Sequence, residues 1–367
     1  MKNKSKLITL TLTHACNLAC VYCYEVNRTS GNMSIETAKK ILDCEFSKIG
    51  EGETLQVDLF GGEPFLRFEL IKEIISYVRD EFPTKNAVFF IITNGTILDE
   101  KVKKWLIENR DCVICGLSFD GNREMQNVNR SNSFDMVDLN FFIENYPTQT
   151  IKMTVSDQTL NTLASGVIFL QSKGFDVACN LAYGIDWHNQ NYCQILEREL
   201  MKLIEYYLAN PKVSVCSMLS MDITQVAFRR SSKLRYCGAG INMVAYDVDG
   251  QSYPCQMFMP LSAGKEKAYL SHEITFLKDS IPDDLLDKKC RDCVIKALCP
   301  NCYGANYIST GNIYVRDDTN CNLMKIIMKA RSYLQGMMWQ QGRLNLSKRE
   351  EALLLRSIEI LQRDLSY

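Results

Sequence analysis

Histidine is scarce in this chain, with three in 367 residues, so few imidazoles are on hand for acid–base work. No apolar run approaches the roughly 18 residues of a membrane-spanning helix. Neither sign of charge dominates: 42 basic residues face 43 acidic ones, for a net charge of −1. That balance gives no general attraction to nucleic acid or to an anionic membrane surface. Nothing at the start resembles a signal peptide, because the run MKNK leads straight into an apolar strand. No internal repeat or low-complexity segment stands out. Cysteine is the exception, at 16 residues. Disulfide scaffolds are usually short and secreted, so a cytoplasmic, metal-binding chain fits these features better than an oxidised one. Exposed metal clusters would favour a low-oxygen setting. With 46% hydrophobic residues the chain can bury a substantial core, in one large domain or two to three smaller ones.

From residue 7 to about 209, short apolar strands alternate with longer amphipathic stretches, the pattern of βα units. Strands are expected near 7–13, 56–60, 87–93, 113–119, 151–156 and 176–183. Helices are expected over 34–48, 67–81, 99–109, 135–144, 160–173 and 191–209. Six units are too few for a closed eight-stranded barrel, so the expected fold class is α/β, an open partial (β/α)6 barrel. The strand patterns point to a lumen lined for a polar ligand. Thr9, Thr11 and Thr13 share one face of the first strand, and Lys152, Thr154 and Ser156 share one face of the fifth. Ordinary barrels fill that space with bulky branched side chains. The alternative is an antiparallel sheet with one wet face, which the intervening helices oppose. A second region, marked by cysteines, begins near Pro211. The tail, 346–366, reads as a helix with Leu354, Ile358, Leu361 and Leu365 on one stripe, packed on the body of the protein.

Three cysteines near the start, Cys16, Cys20 and Cys23 in THACNLACVYCYE, have the spacing Cys-x3-Cys-x2-Cys. They can hold three irons of a four-iron cluster and leave the fourth without a protein ligand, where such clusters normally have four thiolates. An open iron implies a bound small molecule, and therefore chemistry. Structural zinc is the alternative, but it wants four protein ligands and only His14 stands near this group of three.

The motif, with Tyr22 before its last cysteine, resembles that of the radical S-adenosylmethionine (SAM) enzymes. The resemblance implies that SAM chelates the open iron of a [4Fe-4S] cluster, and that one electron releases a 5′-deoxyadenosyl radical able to abstract hydrogen from unactivated carbon. Gly61-Gly62-Glu63-Pro64 follows the second strand as the family's GGEP motif does, which implies contact with the SAM ammonium. Ser118, in GLSFDG, resembles the family's ribose-contacting serine. Arg130, in NRS, resembles the arginine that pairs with the SAM carboxylate, a task suited to a planar guanidinium. Leu181 matches a position near the adenine, although its strand parity points outward. Thr93-Asn94-Gly95, closing the third strand, either lines the site or forms a turn.

A second cysteine set begins with Cys237-x12-Gly250-x4-Cys255. It continues as Cys290-x2-Cys293-x5-Cys299-x2-Cys302 and ends with Cys321. This resembles the SPASM extension of radical SAM peptide maturases, which holds two auxiliary [4Fe-4S] clusters. The resemblance assigns Cys290, Cys293, Cys299 and Cys321 to one cluster and Cys237, Cys255 and Cys302 to the other. The last spacing, x2, departs from the common x3. The three-ligand cluster either keeps an iron open to substrate or gains another residue, with Cys216 a candidate. A zinc ribbon on Cys290, Cys293, Cys299 and Cys302 is the alternative. Cys44, Cys112, Cys115, Cys179 and Cys193 fall in expected helices and strands and read as small core residues.

The expected organisation is a radical SAM core over 1–209, a SPASM region over 210–331 and a helical tail over 332–367. The chain is most similar to maturases of ribosomally made peptides, in particular the group associated with CXXX-repeat targets, which implies a cysteine thioether crosslink. Anaerobic sulfatase maturases share the architecture but carry an aspartate base immediately after the cysteine equivalent to Cys255, where this chain has Gln256. A non-catalytic iron–sulfur or zinc carrier is a third reading and leaves GGEP, Ser118 and Arg130 without a purpose. Tyr183, Asp186 and His188, just past the sixth strand, are placed to face substrate, and Asp186 and His188 are the catalytic candidates. Expected partners are a precursor peptide, a separate leader-binding protein and a reductant such as flavodoxin or ferredoxin, with no nucleic acid and no membrane.

Overall fold

The computed structural model describes residues 5–227, 237–278, 281–282, 284–300, 302–316 and 318–365. The initial MKNK run and the last residue of the expected tail helix lie outside them. Four strands, β1 (Ser5–Thr13), β2 (Thr54–Gly61), β3 (Asn86–Thr93) and β4 (Val113–Leu117), pair in parallel in the order β4-β3-β2-β1. Two further strands, β5 (Ile151–Val155) and β6 (Val177–Leu181), form a second sheet. A single parallel bridge from Ser118 to Lys152 links β4 to β5. All six expected strands are present, each within a few residues of its expected limits.

The helices follow the expected alternation: α1 (Ile35–Phe46), α2 (Phe68–Glu81), α3 (Glu100–Glu108), α4 (Arg123–Asn129), α5 (Leu139–Asn145), α6 (Leu163–Ser172) and α7 (Gln190–Ala209). Local chemistry sets several starts. Ser34 caps α1 by accepting from Thr37 N, and Asp99 caps α3 by accepting from Val102 N. Helix α4 was not expected; it is short, and its polar sequence REMQNVN carries no apolar stripe of the usual kind.

The free edge of β1 is taken by β7 (Met243–Tyr246), paired in parallel, which turns into β8 (Ser252–Tyr253) antiparallel to it. These strands come from the cysteine-rich region, where none was expected. Their hairpin closes at Gly250, whose φ of 87° suits glycine, with Gly250 N donating to Asp247 O at 2.9 Å.

Spatial contacts divide the chain into two interleaved units: residues 1–119, 130–152 and 237–278 in the first, and 120–129, 153–236 and 279–367 in the second. In the first unit, Ile8, Leu10 and Leu12 pack with Leu55, Val57, Leu59, Phe89 and Ile91 as one fully buried face. The opposite face of β1 is also closed, against the expectation of an open polar lining. Thr9, Thr11 and Thr13 are buried, and Thr11 Oγ1 meets Met259 Sδ at 3.4 Å. On β2 the same face stays half-open at Gln56 and Asp58, and Lys152 on β5 is exposed.

In the second unit the tail forms a helix, Lys348–Asp364, started by a capping box of Ser347 and Glu350. Leu354, Leu361 and Leu365 pack with Ile223, Val226, Ile295, Leu298 and Met328, while Ile358 flanks this cluster. A second long helix, Cys321–Gln340, lies alongside. Among the described residues no helix is long and apolar enough to cross a membrane.

Candidate iron–sulfur site

The loop after β1 carries Cys16, Cys20 and Cys23, all half-buried, and it is pinned from several directions within the first unit. Gly62 N donates to Thr13 O and Glu63 N to Ala15 O, each at 3.0 Å. A Cβ on Gly61 would lie 2.3 Å from Thr13 O, and one on Gly62 would lie 2.3 Å from Ala15 O. The two glycines of the GGEP run therefore let the end of β2 press against the cysteine loop itself. Ala19 N donates to Ser131 Oγ at 2.9 Å, beside the left-handed pair Ser131 and Asn132 (φ 54° and 55°).

Glu63 is the centre of this packing. It is 1% exposed, and its carboxylate accepts from Thr93 Oγ1 and Asn94 N at 2.8 Å and from Phe65 N at 3.2 Å. The last bond also caps the 3₁₀ turn that begins at buried Pro64. Burial outweighs these bonds and holds the carboxyl at about 7. Arg130, buried, acts on Glu63 electrostatically and places its guanidinium 5.5 Å from the Tyr22 ring centroid. The Thr93-Asn94-Gly95 run is both a turn and a brace: Asn94 Nδ2 donates to Asn17 Oδ1 at 2.9 Å on the cysteine loop. Ser118, half-buried, lies just past β4, where its N–H donates to Thr93 O at 2.9 Å.

Behind the cysteines lies a buried polar group that sequence reading missed. His14 pairs with Asp247 and with Thr29 Oγ1, each at 2.6 Å. Glu25, buried, is pushed up to about 7 by desolvation. Arg28 donates to Cys23 Sγ and to Leu18 O, each at 2.9 Å. The signal was spread over residues far apart in the chain, with Asp247 supplied by the hairpin beside β1. Also in the first unit, Cys255 is buried, Cys237 is exposed, and the half-buried Tyr24 phenol hydrogen-bonds the Gln256 side chain.

The second unit gathers Cys290, Cys293, Cys299 and Cys321 closely enough that their charges act on one another. Burial pushes Cys299 up to about 11, against the pull of Arg316, whose Nη1 donates to Cys299 Sγ at 2.5 Å. Such thiols become thiolates where a metal's charge offsets the burial. Cys302 is placed differently: its sulfur accepts from Ala305 N at 3.5 Å and caps the helix Tyr303–Thr310. Among the described residues no three or more histidine, cysteine or acidic side chains close around a single metal ion. A four-iron cluster asks for thiols set further apart, at its corners.

Several expected site residues belong to the second unit. Asp186 and His188 lie on an exposed loop, where Asp186 Oδ1 accepts from His188 N at 3.0 Å and pairs with its Nδ1 at 2.7 Å. These bonds lower the Asp186 carboxyl, the reverse of what a general base needs. Leu181 is half-buried at the end of β6, on the parity of buried Val177 and Cys179. Cys216 is buried beside Cys179 and the Tyr207 hydroxyl. Of the five cysteines expected in the core, Cys115 and Cys179 are there, Cys112 and Cys193 are half-buried, and Cys44 is exposed.

A family model described as a 4Fe-4S single cluster domain matches residues 7–137, the stretch holding the cysteine loop, Glu63 and Arg130. The subtilosin biosynthesis protein AlbA of Bacillus subtilis is 35% identical over 30% of this chain and 23% of its own length. The radical SAM cyclopropyl synthase TigE of Paramaledivibacter caminithermalis is 21% identical over 88% of this chain and 73% of its own. A cysteine-type anaerobic sulfatase-maturating enzyme of Clostridium perfringens is 23% identical over 69% and 74%. The chain spans 41%, 29% and 23% of the first three curated relatives it matches. Among solved structures, native anSMEcpe with bound AdoMet superposes with a TM-score of 0.70 at 18% identity, covering 93% of this chain and all of that one. SuiB of Streptococcus suis, bound to its precursor peptide SuiA, gives 0.54 at 15%, covering 86% and 76%. The fold is theirs, an α/β fold with a mainly parallel sheet and a helical carboxyl-terminal region. The chain is thus similar in sequence to a 4Fe-4S cluster domain, a radical SAM cyclopropyl synthase and a sulfatase-maturating enzyme, and in fold to AdoMet-bound anSMEcpe.

Proposed function

We propose that this protein is a maturase that modifies a ribosomally made precursor peptide, and that the bond it installs is a cysteine thioether. When bound, a [4Fe-4S] cluster and SAM supply a 5′-deoxyadenosyl radical; the protein's own residues position, shield and direct it. Cys16, Cys20 and Cys23 hold the cluster. Glu63 offers a buried carboxylate to the SAM ammonium, a cation that would relieve the cost of keeping it charged. Arg130 pairs with the SAM carboxylate, steadied by the Tyr22 ring. The observation that carries the reading is the convergence of Glu63, Arg130 and the cysteine loop in one braced unit.

Residues 1–209 are assigned to the radical SAM core, 210–331 to the SPASM region and 332–367 to the helical tail. Cys290, Cys293, Cys299 and Cys321 are assigned to one auxiliary cluster, and Cys237, Cys255 and Cys302 to the other. The likeness to AlbA and SuiB supports a peptide substrate, and a flavodoxin or ferredoxin in the cytoplasm fits the need for an electron. Anaerobic incubation of the reduced, reconstituted protein with SAM and a cysteine-bearing precursor is the test. A peptide lighter by two hydrogens is expected, and an unchanged mass contradicts the crosslink.

Sulfatase maturation is the second reading, favoured by the fold match. Against it stands Gln256, which cannot accept a proton as the relatives' aspartate does and is engaged by Tyr24. Formylglycine formation on a sulfatase-derived peptide separates the two readings.

A further inference from the structure

Arg28 brings a charged side chain directly to one of the three cysteines of the loop. Its Nη2 meets Cys23 Sγ and its Nη1 meets Leu18 O, each at 2.9 Å, so both arms of the fork are engaged. The loop that carries it is fastened on either side. Asn27 N donates to Leu261 O at 3.0 Å, and Thr29 Oγ1 pairs with His14 Nδ1 at 2.6 Å, while His14 is held in turn by Asp247. His14 N also donates to Gly31 O at 2.9 Å. Arg28 therefore reaches the thiol from an anchored backbone.

Guanidinium keeps its charge at any workable pH. A fixed positive charge and an N–H···S bond at a ligand sulfur both favour the electron-rich form of an iron–sulfur cluster. Hydrogen bonds to sulfur, net charge and exposure are the levers by which a protein sets cluster potential. We propose that Arg28 is a positioning residue that raises the reduction potential of the cluster held by Cys16, Cys20 and Cys23, and so lets a one-electron donor of the flavodoxin or ferredoxin class reduce it. The step adds one electron to the oxidised cluster and neither makes nor breaks a bond. The proposal rests on the radical SAM reading of the cysteine loop.

The test is an anaerobic redox titration of the reconstituted full chain, poised with dithionite and mediators. Electron paramagnetic resonance follows the signal that changes on adding SAM, which marks this cluster among the three. In Arg28→Gln the expected result is unaltered iron content and at least a tenfold loss in the one-electron reduction equilibrium, a fall of about 59 mV. Arg28→Lys keeps the charge and stays within threefold of the parent, whether or not the glutamine variant loads iron. A loaded Arg28→Gln protein with an unmoved midpoint overturns the proposal, as does a tenfold fall in Arg28→Lys. A parent protein with no SAM-sensitive signal at all instead contradicts the radical SAM reading beneath it.

Discussion

At the scale of single residues, Glu63 shows burial and hydrogen bonding in opposition. Three donors favour its charged form, yet desolvation wins and the carboxyl titrates at about 7 in the folded protein, against 4.5 ordinarily. The sign follows from proton linkage. Between those two values the folded state binds more protons than the unfolded state, so stability falls as pH rises from 4.5 through 7. The whole shift corresponds to roughly 3 kcal/mol. Unfolding of the SAM-free protein, followed over that window by circular dichroism, should show this slope, and Glu63→Gln should lessen it, leaving the share that Glu25 contributes over the same window. SAM affinity should fall at least tenfold in the same variant, measured by equilibrium dialysis. A variant that keeps both the slope and the affinity would remove Glu63 from the site.

At the scale of elements, the glycines at the end of β2 act through backbone contact. Gly62→Ala puts a methyl 2.3 Å from Ala15 O and 2.9 Å from Cys16 Cβ. The cysteine loop must then move, and the protein should load roughly four fewer irons while keeping its helix content. Iron assay beside far-ultraviolet circular dichroism checks this. The six βα units were legible in the sequence because each joins an apolar strand to an amphipathic helix, and the GGEP turn was legible because it follows such a strand. Three features were not. Helix α4 is held by a polar network in which Asn129 Nδ2 donates to Asp120 Oδ2 at 3.2 Å and Asn129 Oδ1 accepts from Ser156 Oγ at 2.7 Å. The β7–β8 hairpin gains its meaning only from the distant edge of β1. The threonine face of β1 looked like a lumen because its cover, Met259, lies some 250 residues away in the chain.

At the scale of the whole molecule, cysteines are gathered in both compact units. Cys16, Cys20 and Cys23 belong to the first, while Cys290, Cys293, Cys299 and Cys321 belong to the second. Separate holding implies separable loss. Cys321→Ala should remove the auxiliary cluster of its set, keep SAM cleavage within a few-fold of the parent and abolish peptide crosslinking. Assaying 5′-deoxyadenosine and peptide mass in one incubation measures both. Loss of SAM cleavage together with crosslinking would show that the sets do not act apart.

The most direct measurement is 5′-deoxyadenosine formation by the anaerobically reconstituted protein given SAM and dithionite. The parent chain is expected to release it and Cys23→Ala is expected to release none. Cleavage that survives in Cys23→Ala, or a fully loaded parent that leaves SAM intact, would contradict the assignment of this loop as the centre of the chemistry.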